Sequence, residues 1–232
     1  MKTLGKEYLD FLSDLSQNNN KIWFAENKLR FDSVFAEVKS FFKEIYDVMQ
    51  QHDHISLFHT HRIYRDVRFS KDKTPYKNYF GLHLGRAKPL LRGGYYLSLE
   101  PGKSFVGGGF WEPNNIDLLR IRKEIEMDDR ELRDIISEDR FKQYFDELKG
   151  EELKTAPKGF DKGHPSIDLL RKKQFLVMRS FTDKEVMKAN FLDEVIATFI
   201  AMRPFFDYMS AVLTTDVNGV SLFDSETAKD RR

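Results

Sequence analysis

The chain has 232 residues, 41% hydrophobic and 32% charged, with 38 Lys/Arg against 37 Asp/Glu for a net charge of +1. A chain this long can bury a core without staples, and so even a charge balance argues against a general nucleic-acid or membrane-surface binder, so any anion site must be local. With no cysteine, disulfides, thiolate catalysis and cysteine-ligated metals are excluded.

In chain order, Leu4, Tyr8, Phe11, Leu12 and Leu15 fall at helical spacing and predict a helix over 3–17. Charges interrupt that segment where a signal peptide would have its apolar core. No apolar run elsewhere reaches the ~18 residues of a membrane span, so a cytoplasmic protein with no membrane partner is expected. "QNNN" (17–20) breaks the helix, and its asparagines can cap the next one. Over 21–50, Phe31, Val34, Phe35, Val38, Phe41, Phe42, Ile45 and Met49 form one apolar stripe. Trp23 and Phe24 at its start read as a staple or as core.

The period then changes to two, predicting strands at about 60–69, 79–87, 93–100 and 103–111, with turn signals at Gly93-Gly94 and Pro101-Gly102. The last two should pair as a hairpin. Helices are expected from about 114 to 148, then a loop at 156–165, one helical turn at "SIDLLRK", a strand at 174–181 and a helix over 190–213 interrupted at Pro204. This pattern predicts an α+β fold: a mainly antiparallel sheet of about four to six strands with helices on one face, in a single compact domain over 1–213. A variable, frayed tail is expected over 214–232.

The segment "RIYRDVRFSKDKTPYK" (62–77) concentrates Arg62, Arg65, Arg68, Lys71, Lys73 and Lys77 against only Asp66 and Asp72. If 61–69 is a strand, one face carries Ile63, Val67 and Phe69 with Arg65 among them; the other carries Arg62, Tyr64, Asp66 and Arg68. By the same rule Tyr79 and His83 oppose Phe80, Leu82 and Leu84, and Tyr96, Ser98 and Glu100 oppose Leu97 and Leu99. Arg62, Tyr64, Arg68, His83, Tyr96 and Glu100 would then converge on one open polar face. Arg65 on the apolar side needs a partner, because an unpaired buried charge is costly. That partner is either an acid of the protein or a ligand phosphate or carboxylate, which planar Arg clamps in bidentate fashion. Lys71, Lys73, Tyr76 and Lys77 follow on a Thr74-Pro75 turn that reads as a lid or as a solvated loop.

Three further features have competing readings. "FVGGGFW" (105–111) puts three glycines in a strand, which implies a close approach by a ligand or by packing; it fits no phosphate-loop pattern. His52, His54, His59 and His61 crowd one stretch but lack helical metal-ligand spacing, so no metal is expected. Asp161, His164 and Asp168 admit acid–base chemistry, or more simply a turn followed by a helix start.

The motifs "NNNKIWFAENK", "RIYRDVRFSKDKTPYKN", "GGYYLSLEPGKSFVGGGFW" and "PKGFDKGHPSIDLLRKKQFLV", in this order and spacing, resemble a family of bacterial and fungal conserved hypothetical proteins, domain of unknown function family 2461, over about residues 4–213. The resemblance implies one domain of about two hundred residues, and carries no activity, cofactor or site residue onto these positions. The residues themselves therefore set the expectation. It is a site for a small phosphorylated or carboxylated ligand, held by Arg62, Arg65 and Arg68, closed by Lys71, Lys73 and Lys77, and oriented by Tyr64, Tyr76 and Tyr96. Glu100 or His83 would be the general base if the site does chemistry. Against it stand a single-stranded nucleic-acid or nucleotide module, with bases stacked on the tyrosines, and a scaffold for an acidic protein partner.

Overall fold

In the computed structural model, residues 4–216 and 218–223 are described; the rest of the expected tail, and Thr3 at the start of the expected first helix, lie outside them. The described elements run α1 (Glu7–Gln17), α2 (Lys21–Glu26), α3 (Lys28–Met49), β1 (Ile55–Thr60), β2 (Phe80–Arg86), β3 (Gly94–Leu99), β4 (Ser104–Phe110), α4 (Asn115–Met127), α5 (Arg130–Ser137), α6 (Asp139–Phe145), α7 (Ile167–Leu170), β5 (Phe175–Phe181), α8 (Asp183–Val186), α9 (Phe191–Ala201) and α10 (Arg203–Thr214). The five strands form one antiparallel sheet in sequence order, β1-β2-β3-β4-β5. The class is α+β, as the periodicity implies.

By contact the chain divides into two compact units: the described residues up to Leu84 with Tyr96–Val106 and Arg179–Thr198, and Gly85–Tyr95 with Gly107–Met178 and those from Phe199 onward. The division falls inside β2, β3, β4 and β5, not at a linker.

In the first unit α3 lays its apolar stripe on the sheet, with Phe35 stacked on Phe80 of β2 at 5.3 Å between ring centroids, and on α9, with Phe41 stacked on Phe191 at 5.8 Å. Asn20 caps α2, its side chain accepting from Ile22 N–H and Trp23 N–H at 3.0 Å each. Trp23 packs on Phe11 of α1. α3 starts only after a break at Asn27, so the predicted 21–50 helix is two.

In the second unit α10 covers the sheet through Phe206, which meets Tyr95 and Phe110 edge-on. The glycines of β4 make this fit. A Cβ on Gly108 would stand 2.7 Å from the Phe206 ring, and one on Gly109, at φ +130°, 2.2 Å from the Phe175 carbonyl oxygen of β5. The three-glycine run thus serves packing between elements. Arg86 is buried beneath α10, where it donates to Asp207, to Ser210 Oγ at 3.2 Å and to the Arg92 carbonyl at 3.3 Å. Where described, the chain after α10 folds back through a Thr215–Ser221 bridge.

One stretch, Phe191–Thr214, has the length and composition of a membrane span despite the sequence expectation, but 67% of its most apolar window is buried inside the structure. It is also broken at Met202, with Pro204 in the first turn of α10.

Candidate functional site

The predicted 60–69 strand is not one. The strand before β2 is Ile55–Thr60, and residues 61–79 form an irregular hairpin that prolongs the β1–β2 pairing. His61 N–H donates to the Gly81 carbonyl at 2.8 Å, Lys77 N–H to Ile63 at 2.7 Å, and Arg65 N–H to Pro75 at 2.9 Å, around an isolated Tyr64–Tyr76 bridge. Between the first two of these bonds the outgoing arm has only Arg62, while the returning arm has Asn78, Tyr79 and Phe80. The surplus forces a bulge. Pro75 removes a further donor, and the ladder decays toward the tip, where Phe69 is 97% exposed instead of facing the core.

The hairpin is anchored at Tyr76, which is 6% exposed and stacked on Phe24 of α2 at 4.0 Å. The Asn19 side chain grips the Tyr76 peptide on both sides, donating to its carbonyl at 2.9 Å and accepting from its N–H at 3.1 Å. Tyr76 is therefore core and not part of a lid. Tyr64 leans on the same pair, 5.5 Å from Tyr76 and 6.0 Å from Phe24 between ring centroids.

Three of the six predicted anion-site cations are engaged within the hairpin. Arg65 donates to Asp72 and to Thr74 Oγ1. Arg65 and the Thr74 donors together hold the Asp72 carboxyl down to about 2. Arg68 closes on Asp66, Nη2 to Oδ2 at 2.6 Å and Nε to Oδ1 at 3.0 Å. Lys73 Nζ donates to the Val67 carbonyl at 2.9 Å. Arg65 thus has its partner in an acid of the loop.

Arg62, Lys71 and Lys77 differ: among the described residues none of the three is within ion-pair distance of a carboxylate. Arg62 and Lys71 are exposed. Lys77 is half-buried, and burial, with the charge of Arg62 close by, pulls its pKa below the ordinary lysine value. It lies over the Tyr79 ring at 5.6 Å. Beside it opens a cleft of about 480 Å³ lined by Arg65, Asp66, Asp72, Lys77, Asn78 and Tyr79. Asn78 and Tyr79, two of its lining residues, lie in the bulged stretch of the returning arm.

At the base of the hairpin Gly81 leaves room for three rings. A Cβ there would stand 2.8 Å from the Tyr96 hydroxyl, 3.1 Å from His61 Cδ2 and 3.4 Å from the Tyr79 ring. Tyr96 meets His61 edge-on at 5.6 Å, and His61 meets His59 at 4.8 Å. Burial, Tyr79 and Glu100 push the Tyr96 hydroxyl well above the ordinary tyrosine range. Glu100 accepts from Asn78 Nδ2 at 3.0 Å. His61 Nε2 is buried, with no hydrogen-bond partner among the described residues. Burial first, then Lys77, His59 and His83, lower the His61 pKa to about 4, so the ring is neutral near pH 7.

Of the six residues expected to converge, His83, Tyr96 and Glu100 fall on one side of their strands, Arg62 is exposed with its charge near Lys77, Tyr64 leans on Phe24 and Tyr76, and Arg68 is turned to Asp66. His61, Asn78 and Tyr79 lie next to that side, through Gly81, Tyr96 and Glu100; only the parity of Tyr79 signalled it in the sequence, since the shift in pairing between the two arms leaves no local signature. The histidine stretch forms no metal-ligand cluster among the described residues. The Asp161–Asp168 loop is structural: Asp161 accepts from Gly163 N–H at 2.9 Å, His164 Nδ1 from Ser166 N–H at 3.1 Å, and Asp168 pairs with Arg133 at 2.8 Å.

A family model described as a conserved hypothetical protein (DUF2461) matches residues 7–208, through every strand and into α10. The chain belongs to the DUF2461 family. No curated protein and no solved structure matches this DUF2461 member. The match spans the whole hairpin and the strands beneath it, so the cleft of this DUF2461 chain is built from family-matched segments.

Proposed function

We propose that the cleft beside the 61–79 hairpin binds a small phosphate- or carboxylate-bearing ligand through Lys77 and Arg62, with Asn78 and Tyr79 as its polar walls. The observation that carries this reading is the half-buried ammonium of Lys77, which has lost water and, among the described residues, has no carboxylate within ion-pair distance, with the exposed guanidinium of Arg62 near it. A desolvated, unneutralised cation favours an anion most where water is excluded. Arg65 and Arg68, closed on Asp72 and Asp66, hold the loop in shape. This shifts the site from the arginine-rich arm to the arm that returns.

The test is thermal unfolding at low salt against phosphate, sulfate, nucleotides, dicarboxylates and short single-stranded RNA. A ligand at a hundred times its Kd adds about 2.7 kcal/mol, a rise of roughly 5 to 10 °C for a chain of this size. The expected result is a rise with one small-anion class that is lost in Lys77→Gln and kept in Arg68→Ala. A rise that Lys77→Gln leaves intact would contradict the assignment. Affinity for RNA that falls steeply with salt would replace the small anion with a nucleic acid.

A further inference from the structure

A second hollow, of about 300 Å³, lies in the second compact unit, between the α5–α6 segment and the α9–α10 junction. It shares no residue with the anion cleft and stands or falls apart from it. Its walls are apolar: Ile135 of α5, Phe141 of α6, Ile200 and Ala201 at the end of α9, and Pro204 in the first turn of α10. Three charged residues complete the lining, Glu138, Arg140 and Arg203. Arg203 reaches Asp207 at 3.4 Å. Glu138 and Arg140 are exposed on the same hollow, and among the described residues neither is within ion-pair distance of an opposite charge.

We propose that this hollow binds a free apolar amino acid, with its side chain on the apolar walls, its carboxylate on Arg140 and its ammonium on Glu138. With Arg203 answered by Asp207, the charge left at the rim is one of each sign. A zwitterion answers both. A planar guanidinium takes a carboxylate through two parallel hydrogen bonds. Small-molecule pockets are mostly apolar, with a few polar groups that fix orientation, and run upward from about 300 Å³. A hollow at that lower bound suits one amino acid better than a nucleotide. A phosphate ester would set its charge beside Glu138 with no ammonium in exchange, and either end of a peptide would answer only one of the two charges.

The test is titration of four probes into the isotope-labelled full chain, read by backbone amide shifts: L-leucine, L-phenylalanine, 4-methyl-2-oxopentanoate, which lacks the ammonium, and 3-methylbutylamine, which lacks the carboxylate. The expected result is saturable shifts centred on residues 135–141 and 200–204 with leucine or phenylalanine. The two analogues of leucine bind about tenfold or more weakly, because each leaves one charge of the rim unanswered. Arg140→Ala and Glu138→Ala, both at exposed positions, weaken the amino acid by a similar factor, and Lys77→Gln does not. In Glu138→Ala the amino acid loses its advantage over the oxo acid, an outcome that a merely structural role for Glu138 would not produce. No saturable shift with either amino acid, or saturation centred elsewhere on the chain, would overturn the proposal. So would an oxo acid that binds the wild type as tightly as leucine, since Glu138 would then hold no ammonium.

Discussion

Asp66 and Asp72 are only two acids among six cations, yet they hold Arg68 and Arg65, and a carbonyl holds Lys73. What is left over is Arg62, Lys71 and Lys77, with Lys77 acting on a histidine whose pKa is lowered to about 4, first by burial. The sign of the His61 contribution follows from its depressed pKa. Between about 4 and about 6.5 the unfolded chain binds a proton that the folded chain does not. Stability is therefore full above about pH 6.5 and falls as pH drops toward 4. A later loss follows below that, as Asp72, held down to about 2, is protonated. Denaturant unfolding across this range should show the earlier loss in the wild type, and His61→Gln should abolish it without touching the later one. At Asn19, replacement by Ala removes both bonds to the Tyr76 peptide and should cost about 1 to 3 kcal/mol, measured as a lower midpoint in the same experiment.

At the scale of elements, the helices, β2 to β5 and the cap at Asn20 were legible because period and capping chemistry act locally. The hairpin was not. "HRIYRDVRF" alternates as a strand does, but its partner arm carries two surplus residues and Pro75, and pairing lies in both arms at once. The true β1, "ISLFHT", was passed over because the alternation that follows it read as the strand. The glycine run of β4 gave a correct signal of close approach without saying to what. Its test is Gly109→Ala: a Cβ 2.2 Å from a β5 carbonyl at φ +130° cannot be relieved by a side-chain rotation. The cost should be about 3 kcal/mol or more, seen as a fall in unfolding midpoint. Gly102→Ala, at φ +70° but with nothing within 4 Å, should cost only about 1 kcal/mol.

At the scale of the whole molecule, a net charge of +1 supplies no long-range field, so the site must act through the few cations at its rim. Two consequences follow. Salt should weaken the ligand only shallowly, with a slope of log affinity against log salt of about one to two, as expected when one or two charges are neutralised. Stability should depend on cations elsewhere that are buried for structural reasons. Asp207→Ala takes the main counter-charge from Arg86 but leaves Ser210 and the Arg92 carbonyl. With Asp207 half exposed the loss should be about 2 kcal/mol, less than for a fully buried pair, and it should leave anion binding unchanged. The assignment of Lys77 and Arg62 is tested most directly by titrating sulfate into the isotope-labelled protein at low salt and following every backbone amide. The prediction is one saturable set of shifts centred on Arg62, Lys77, Asn78 and Tyr79 and absent in Lys77→Gln. Shifts that do not saturate, or that saturate elsewhere on the chain, would contradict it.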